Sequence, residues 1–245
     1  MSAPSGAPGS TTHGAVAPVA TIVLAKAPVP GRVKTRLCPP ATAEQAATLA
    51  AAALLDTLDA VRATPGAHPV VSFTGERSDA VLADELHTVL DAVDVVEQRG
   101  DSLGERIAAA HADTAALHPG LPTLQVGMDT PQLSAALLEQ CVHTLLTPGN
   151  DAVLGLATDG GWWILGLRDP HRAAVLADVP MSREDTGART LDALRAAGLQ
   201  VGVVAELTDV DTAAEAVEVA ALIPGSRFAA SVDACASALT AGSPA

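Results

Sequence analysis

The chain has 245 residues, 49% hydrophobic and 17% charged, which predicts a folded α/β domain with a substantial core. Only 2% are aromatic, so this core must be built mainly from Ala, Val and Leu. The net charge of −14 disfavours a nucleic acid or an anionic membrane as a partner, although a locally basic pocket could still bind a small anion.

The two ends of the chain differ in pattern from its middle. Residues 1–18 are rich in Ser, Gly, Pro and Thr and lack the apolar run of a secretory signal, so we expect a disordered leader. The pattern also weakens in residues 226–245, which we expect to fray, leaving a single domain over residues 19–225. The most apolar helix candidate, residues 43–62, carries several polar residues, which excludes a membrane span and favours a cytoplasmic location. Three widely spaced cysteines indicate reduced thiols rather than disulfides or a zinc site.

The first predicted strand, residues 19–25, leads into a basic loop. Two prolines and Gly31 prevent regular structure there, and four cations lie within eleven residues of a chain that has only fourteen Lys and Arg. Free backbone N–H groups and several cations suit a diphosphate or triphosphate. The alternative is a solvated loop that pairs with acidic neighbours. The candidate nucleotide-binding residues of this loop are Lys26, Gly31, Arg32, Lys34 and Arg36.

Helices and strands then alternate along the chain. The predicted elements are a helix over 43–61 preceded by Thr42, a strand over 69–74, a helix over 78–90, a strand over 93–97, and a helix that ends near 112. The turn that opens this last helix is flanked by Arg99 and Arg106, which could contact a nucleotide base or phosphate; Asp101 or Ser102 could cap the helix. Arg106 is therefore a further candidate nucleotide-binding residue.

A buried strand that ends at Gly127 leaves Asp129 at its carboxyl end, just before Pro131. Ligands of open α/β sheets bind at this edge, where a carboxylate can hold a divalent metal against a phosphate. The alternative is that Asp129 only caps the following helix, predicted over residues 133–146.

The next strand, residues 151–157, delivers an Asp-Gly-Gly-Trp turn to the same edge. Asp159 could accept hydrogen bonds from sugar hydroxyls, Gly160 and Gly161 allow close approach of a ligand, and a Trp could wall the pocket. The same residues also predict a tight hairpin turn that leads into a strand over residues 162–167.

Two more carboxylates follow the last predicted strand, residues 198–204. That strand comes after a helix that ends near Ala197, with Ser182 or Asp185 as the expected cap. Asp209 and Asp211 point the same way if their segment is extended, and Thr212 is expected to cap a closing helix. Either carboxylate could complete a Mg²⁺ site with Asp129, because Mg²⁺ takes one or two carboxylates together with phosphate oxygens.

Four motifs together resemble the bacterial DUF2064 proteins, which are similar to the nucleotide-diphospho-sugar transferases of the GT-A fold. They lie at residues 23–37, at Gly127-x-Asp129-x-Pro131, at residues 158–162 and at residues 209–212, and the resemblance spans about residues 20–222. It implies a three-layer α/β sandwich with a mostly parallel sheet.

The resemblance also implies roles for single residues. Lys26, Lys34 and Arg36 would bind nucleotide phosphates, and Asp129 with the more distal Asp211 would hold Mg²⁺ or Mn²⁺. The sugar or acceptor would face the Asp-Gly-Gly turn, and Asp129 and Asp159 would be the catalytic residues. The substrate-side residues are Asp159, Gly160, Gly161 and Trp162. The chain departs from the family where it has Met128 in place of Ser and Met181-Ser182 in place of Trp-Ser, mainly on the acceptor side.

Three functions are consistent with these residues. We favour transfer of a glycosyl group from a nucleotide sugar to a small acceptor, because the DUF2064 likeness covers most of the chain. The close alternative is nucleotidylyl transfer from a nucleoside triphosphate to a small phosphorylated substrate, because residues 34–37 also resemble the loop of phospholactate guanylyltransferases. The third is a nucleotide-binding domain without catalysis. A homo-oligomer is compatible with each.

Overall fold

A mostly parallel sheet of seven strands forms the centre of the molecule, as seen in a computed structural model that describes residues 17–240. The predicted leader therefore lies, up to residue 16, outside the described residues. The strands lie in the order β3-β2-β1-β4-β6-β5-β7, and only β6 runs antiparallel to its neighbours. Their bounds are β1 (Val19–Lys26), β2 (Ala67–Thr74), β3 (Asp94–Glu97), β4 (Thr123–Val126), β5 (Ala152–Ala157), β6 (Trp162–Leu167) and β7 (Val201–Leu207).

Helices cover both faces of this sheet, which confirms the predicted α/β class. They are α1 (Ala43–Ala63), α2 (Ala83–Leu90), α3 (Leu103–Leu117), α4 (Ala135–Leu146), α5 (Thr186–Ala196), α6 (Ala213–Leu222), α7 (Arg227–Ala234) and α8 (Ala236–Thr240). The core on one face contains residues of α1, α2 and α4, and the core on the other contains residues of α3, α5 and a 3₁₀ segment over residues 170–178. None of the helices between residues 17 and 240 is long and apolar enough to cross a bilayer.

Helix α1 is buried on two sides, which explains its high alanine content. Leu54 and Leu58 belong to the core against the sheet, whereas Leu49 and Ala53 pack with residues of α6 and α7 in a second cluster, the outer cluster. Small side chains allow both layers to approach one helix closely. The helix begins with a capping box between Thr42 and Gln45.

Several elements differ from the sequence predictions: helix α3, for example, continues to Leu117 instead of ending near residue 112. The helix predicted over residues 78–90 begins only at Ala83. Leu82 has a left-handed backbone with φ of 55°, which separates this helix from the 3₁₀ turn over Arg77–Asp79. The last strand lies three residues later than predicted, after Gly198 has closed α5 with φ of +83°.

The tail also differs, because it forms helices α7 and α8 where we expected fraying. Phe228 is 1% exposed and lies in the outer cluster with α1, while Arg227 forms ion pairs with Asp56 and Asp59. The prediction missed α7 and α8 because both helices are short and their apolar residues pack away from the sheet, those of α7 against α1 and those of α8 against α6 and α7.

Candidate active site

The carboxyl ends of the parallel strands carry the predicted site residues, and three loops meet there. The loop after β1 brings Lys34, the loop after β4 brings Asp129, and the loop after β7 brings Asp211. The last loop reaches across the sheet, because β7 is separated from β4 by β5 and β6. Three hydrogen bonds tie it to the segment after β4: Val210 N–H to the Asp129 carbonyl at 3.0 Å, Gln132 Nε2 to the Thr208 carbonyl at 2.6 Å, and Thr130 Oγ1 to Asp209 Oδ1 at 2.9 Å.

Lys34 lies between two carboxylates at the centre of the site. Its Nζ donates to Asp129 Oδ2 and to Asp211 Oδ1, both at 2.8 Å, and its side chain is only 12% exposed. Burial opposes the charge of the ammonium group, but the two carboxylates outweigh burial and raise the pKa of Lys34 above its usual range. Arg36 Nη1 adds a contact of 3.0 Å to Asp211 Oδ2.

Asp129 does not cap the helix that follows it, so the alternative interpretation of this residue is wrong. Helix α4 begins at Ala135, and Ser134 is the residue whose side chain accepts the N–H of Leu137. The Asp129 carboxylate instead folds back over Gly127: a Cβ atom at that position would lie 2.5 Å from Asp129 Oδ1. A side chain at residue 127 would therefore require the Asp129 carboxylate to shift from the orientation in which it contacts Lys34.

Asp209 and Asp211 have different surroundings, although they are two residues apart. Asp211 pairs with Lys34 and Arg36, and despite its partial burial these cations lower the pKa of its carboxyl group. Asp209 accepts a hydrogen bond from Thr130; burial, with the nearby charges of Asp129 and Asp159, raises the pKa of Asp209 to about 7. Of the two, Asp211 is the carboxylate that shares a cation with Asp129.

The Asp-Gly-Gly turn forms the predicted hairpin between β5 and β6 at the same sheet edge. Asp159 Oδ1 accepts the N–H of Gly161 at 2.8 Å, which leaves the second carboxylate oxygen of Asp159 available. Gly160, with φ of +87°, packs against the segment before α5 so closely that a Cβ atom would lie 1.8 Å from the Glu184 carbonyl oxygen. Of the two tryptophans, Trp163 is buried and donates to the Ala205 carbonyl, and Trp162 is half-buried.

The remaining predicted cations fall into two groups. Lys26 and Arg32 are exposed, and within residues 17–240 their side chains make no hydrogen bond or ion pair, so both are free to bind an anion. Arg106 instead donates to the Gly100 carbonyl at 3.0 Å and so stabilises its own turn, and Arg99 pairs with Asp113. Gly31 adopts a left-handed conformation, with φ of +75°.

A cavity of about 380 Å³ lies where β2 and β3 end, and the sequence did not indicate it. Its wall includes Phe73, with the Arg77 guanidinium 6.0 Å from the ring centroid, and Gly75. Gly75 packs against Ala27 of the basic loop, since a Cβ at Gly75 would lie 3.0 Å from the Ala27 Cβ. One residue of the cavity wall, Gly75, therefore contacts the start of the basic loop at Ala27.

The donor set fits a divalent cation that keeps part of its own ligand shell. The part of the chain that the structure describes contains no group of three or more His, Cys, Asp or Glu that could hold a metal ion. Asp129 and Asp211 nevertheless place two carboxylate oxygens around one ammonium group, no farther apart than twice 2.8 Å. Two carboxylates with water and phosphate oxygens make a suitable coordination shell for Mg²⁺.

Comparison with known families gave a match over more than half of the chain. Residues 57–183 match the model described as "Uncharacterized protein conserved in bacteria (DUF2064)". The chain belongs to the DUF2064 family. The matched range of this DUF2064 protein contains Asp129 and the Asp-Gly-Gly turn, whereas Lys34 and Asp211 lie outside it. No match was found among proteins of curated function.

Solved structures with the same fold extend over nearly the whole chain. A protein of Desulfovibrio desulfuricans G20, named provisionally as a nucleotide-diphospho-sugar transferase, is 24% identical with a TM-score of 0.78, covering 92% of this chain and 98% of its own. A cytidylyltransferase of Leptospira borgpetersenii is 10% identical with a TM-score of 0.54, covering 94% and 99%. A CMP:2-keto-3-deoxy-manno-octonic acid synthetase complexed with CTP is 12% identical with a TM-score of 0.52, covering 84% and 98%. The predicted fold of the nucleotide-diphospho-sugar transferases is confirmed.

Proposed function

We propose that this protein is a metal-dependent transferase that moves a glycosyl group from a nucleotide-diphospho-sugar to a small acceptor. The observation that carries the proposal is the convergence of Lys34, Asp129 and Asp211 at the carboxyl edge of the sheet. A cation between two carboxylates, beside a loop with free cations, is suited to a ligand that carries both a metal and phosphates. The provisional name of the Desulfovibrio protein is in keeping with this function.

The basic loop would bind the diphosphate. Lys26 and Arg32 are exposed and unpaired within the described residues, and Arg36 is 71% exposed, so these cations can reach phosphate oxygens without breaking a buried contact. The cavity at the ends of β2 and β3, beside the start of this loop, would take the nucleobase. Arg106 stays a weaker candidate because it already holds its own turn.

Asp129 and Asp211 would hold Mg²⁺ or Mn²⁺ at the diphosphate. When bound, the metal would neutralise the negative charge that develops on the departing nucleoside diphosphate. Asp159, exposed on the hairpin, would accept a hydrogen bond from a hydroxyl of the sugar or acceptor, and Gly160 and Gly161 would let that substrate approach the backbone. Trp162 would border the same side of the site.

Nucleotidylyl transfer is the second candidate. Lys26 and Arg32, whose side chains are exposed and have no partner among the described residues, could serve the third phosphate of a nucleoside triphosphate. Two of the solved structures with this fold are a cytidylyltransferase and a synthetase bound to CTP. In this reaction a phosphate of the second substrate would attack the α-phosphorus of the triphosphate and release pyrophosphate.

A thermal-shift panel separates the two reactions. The protein is heated with Mg²⁺ or Mn²⁺ and a series of nucleoside diphosphates, nucleoside triphosphates and nucleotide sugars, since a ligand that binds only the folded state raises the unfolding temperature. Stabilisation by one nucleotide sugar and its diphosphate supports glycosyl transfer and names the donor. A preference for one triphosphate supports nucleotidylyl transfer, and no response to any nucleotide contradicts both.

The matched variant for the panel is Asp129→Ala. It removes a metal ligand and little packing, so we expect the fold to persist while the metal-dependent part of the shift disappears. Once the substrates are known, turnover of this variant should be abolished. Full activity in Asp129→Ala would exclude the proposed metal site.

A further inference from the structure

Lys34 occupies the position that a divalent cation would need. Its ammonium group lies 2.8 Å from Asp129 Oδ2 and 2.8 Å from Asp211 Oδ1. Coordination requires the same two oxygens, and a cation placed beside a fixed ammonium would be strongly repelled at such short range. Lys34 and a metal ion therefore compete for one pair of carboxylates.

The surroundings of Lys34 allow its side chain to move while the loop stays in place. Val33 and Leu37 are 2% and 0% exposed and anchor the loop on both sides. Lys34 itself has a left-handed backbone with φ of 45°, a strained conformation for a residue other than glycine, and such strain is concentrated at functional sites. A lysine ammonium on a four-carbon stem can reach a new partner by changing side-chain rotamers alone.

We propose that Lys34 is a built-in counter-ion that leaves Asp129 and Asp211 only when the phosphates of a nucleotide receive it. The protein would then bind a divalent cation with the nucleotide and hardly at all without it. A buried ammonium group without a partner is energetically unfavourable. A metal ion that binds alone must displace Lys34 at this free-energy cost, whereas the phosphate oxygens of a nucleotide give the ammonium group a new partner. This inference rests on the proposed function and adds an order of binding to it.

The two ligands must then strengthen each other's binding. If nucleotide raises the affinity for the metal by moving Lys34, the metal raises the affinity for nucleotide by the same factor. Replacing Lys34 with a neutral residue of similar length should remove this coupling between metal binding and nucleotide binding. Asp129 and Asp211 would then be a pair of carboxylates without their cation, and free metal should bind them readily.

The test measures Mn²⁺ binding to the whole chain without any nucleotide, by the loss of the electron paramagnetic resonance signal of free Mn²⁺. We expect Lys34→Met to bind Mn²⁺ roughly tenfold or more tightly than the wild type. Lys34→Gln, whose amide can still donate to one carboxylate, serves as a second variant if Lys34→Met does not fold. The matched control is Arg36→Met, which also removes a cation from Asp211 but one that is 71% exposed; there we expect a gain below about threefold because solvent screens the charge.

Each contrary result has a distinct meaning. Equal gains in Mn²⁺ affinity in the Lys34 and Arg36 variants would show that removing any nearby positive charge favours metal binding, and would overturn the proposed displacement of Lys34. Equal Mn²⁺ affinity in the Lys34 variants and the wild type would also overturn it, while leaving the proposed function intact if metal and nucleotide together still raise the unfolding temperature. No Mn²⁺ binding in any variant, together with no nucleotide response in the wild type, would remove the metal-dependent function itself.

Discussion

Single residues in this protein acquire their roles from contacts that are distant in sequence. Asp129 and Lys34 are in contact although they are 95 residues apart in the sequence, and Asp211 and Lys34 although they are 177 residues apart. Each contact depends on a loop whose position is set by the sheet. Gly127 contributes only the space over which the Asp129 carboxylate folds back. A substitution at Gly127 would therefore act on the site without removing any functional group.

His111 allows a prediction at the residue scale. It is fully buried in α3, where its Nδ1 lies 2.7 Å from Thr123 Oγ1, and burial lowers its pKa to about 3. Between that value and the usual pKa of about 6.5, the unfolded chain binds a proton at His111 and the folded chain does not. The free energy of unfolding should therefore fall as the pH drops from 6.5 towards 3, by about 1.4 kcal/mol per pH unit from this residue alone.

The measurement is urea unfolding of the wild type and of His111→Gln between pH 4 and 7. The variant should be less stable at pH 7, because the glutamine fills the site differently, but should lose stability more gently as the pH falls. Parallel pH profiles of the two proteins would show that His111 is not the group that titrates.

At the scale of elements, the site depends on two turns that fit into each other. The Gly160 carbonyl accepts the N–H of Gly187 at 2.8 Å, and the Thr158 N–H donates to the Leu207 carbonyl at 3.0 Å. The hairpin between β5 and β6 is thus joined both to the start of α5 and to the end of β7. These contacts hold Asp159 close to Asp209, which is why the charge of Asp159 contributes to the raised pKa of Asp209.

Gly160→Ala tests this fit. The new Cβ would meet the Glu184 carbonyl oxygen at 1.8 Å, so the start of α5 must shift away from the hairpin. The control is Gly120→Ala, because Gly120 has nearly the same φ, +83°, but no atom within 4 Å of the added Cβ. We expect the control to lose about 1–2 kcal/mol of unfolding free energy from backbone strain alone and Gly160→Ala a further ~1–3 kcal/mol from the clash. Equal losses in denaturant unfolding would show that the two turns do not constrain each other.

On the scale of the whole molecule, the domain extends beyond the sheet and its two helical layers. Helices α6 and α7 cover the outer side of α1, and Val210, next to Asp211, is buried in that same outer cluster. The packing that holds the tail therefore also anchors the loop that delivers Asp211. The overall charge of −14 makes the exposed cations of the basic loop, Lys26 and Arg32, a local exception that can attract an anion.

Phe228→Ala measures how far the tail is part of this domain. Phe228 is 1% exposed in the outer cluster, so truncation should cost ~3–5 kcal/mol of unfolding free energy in a single cooperative transition. A loss below about 1 kcal/mol, or a separate early transition, would mean that α7 packs on the domain without stabilising it. Urea unfolding followed by circular dichroism distinguishes these outcomes.

The sequence by itself determined the α/β class, the alternation of elements and the candidate loops, because apolar periodicity, caps and glycine or proline breaks are local signals. Thr212 caps its helix as predicted, Ser102 is the capping residue of the two that the sequence offered for α3, and the family motifs implied the fold. The tertiary structure alone decided that Lys34 bridges Asp129 and Asp211, that Arg106 holds its own turn, and that the tail is helical. These features depend on which loops the strand order brings together and on which helix face remains to be covered, and neither is encoded in the spacing of residues along the chain.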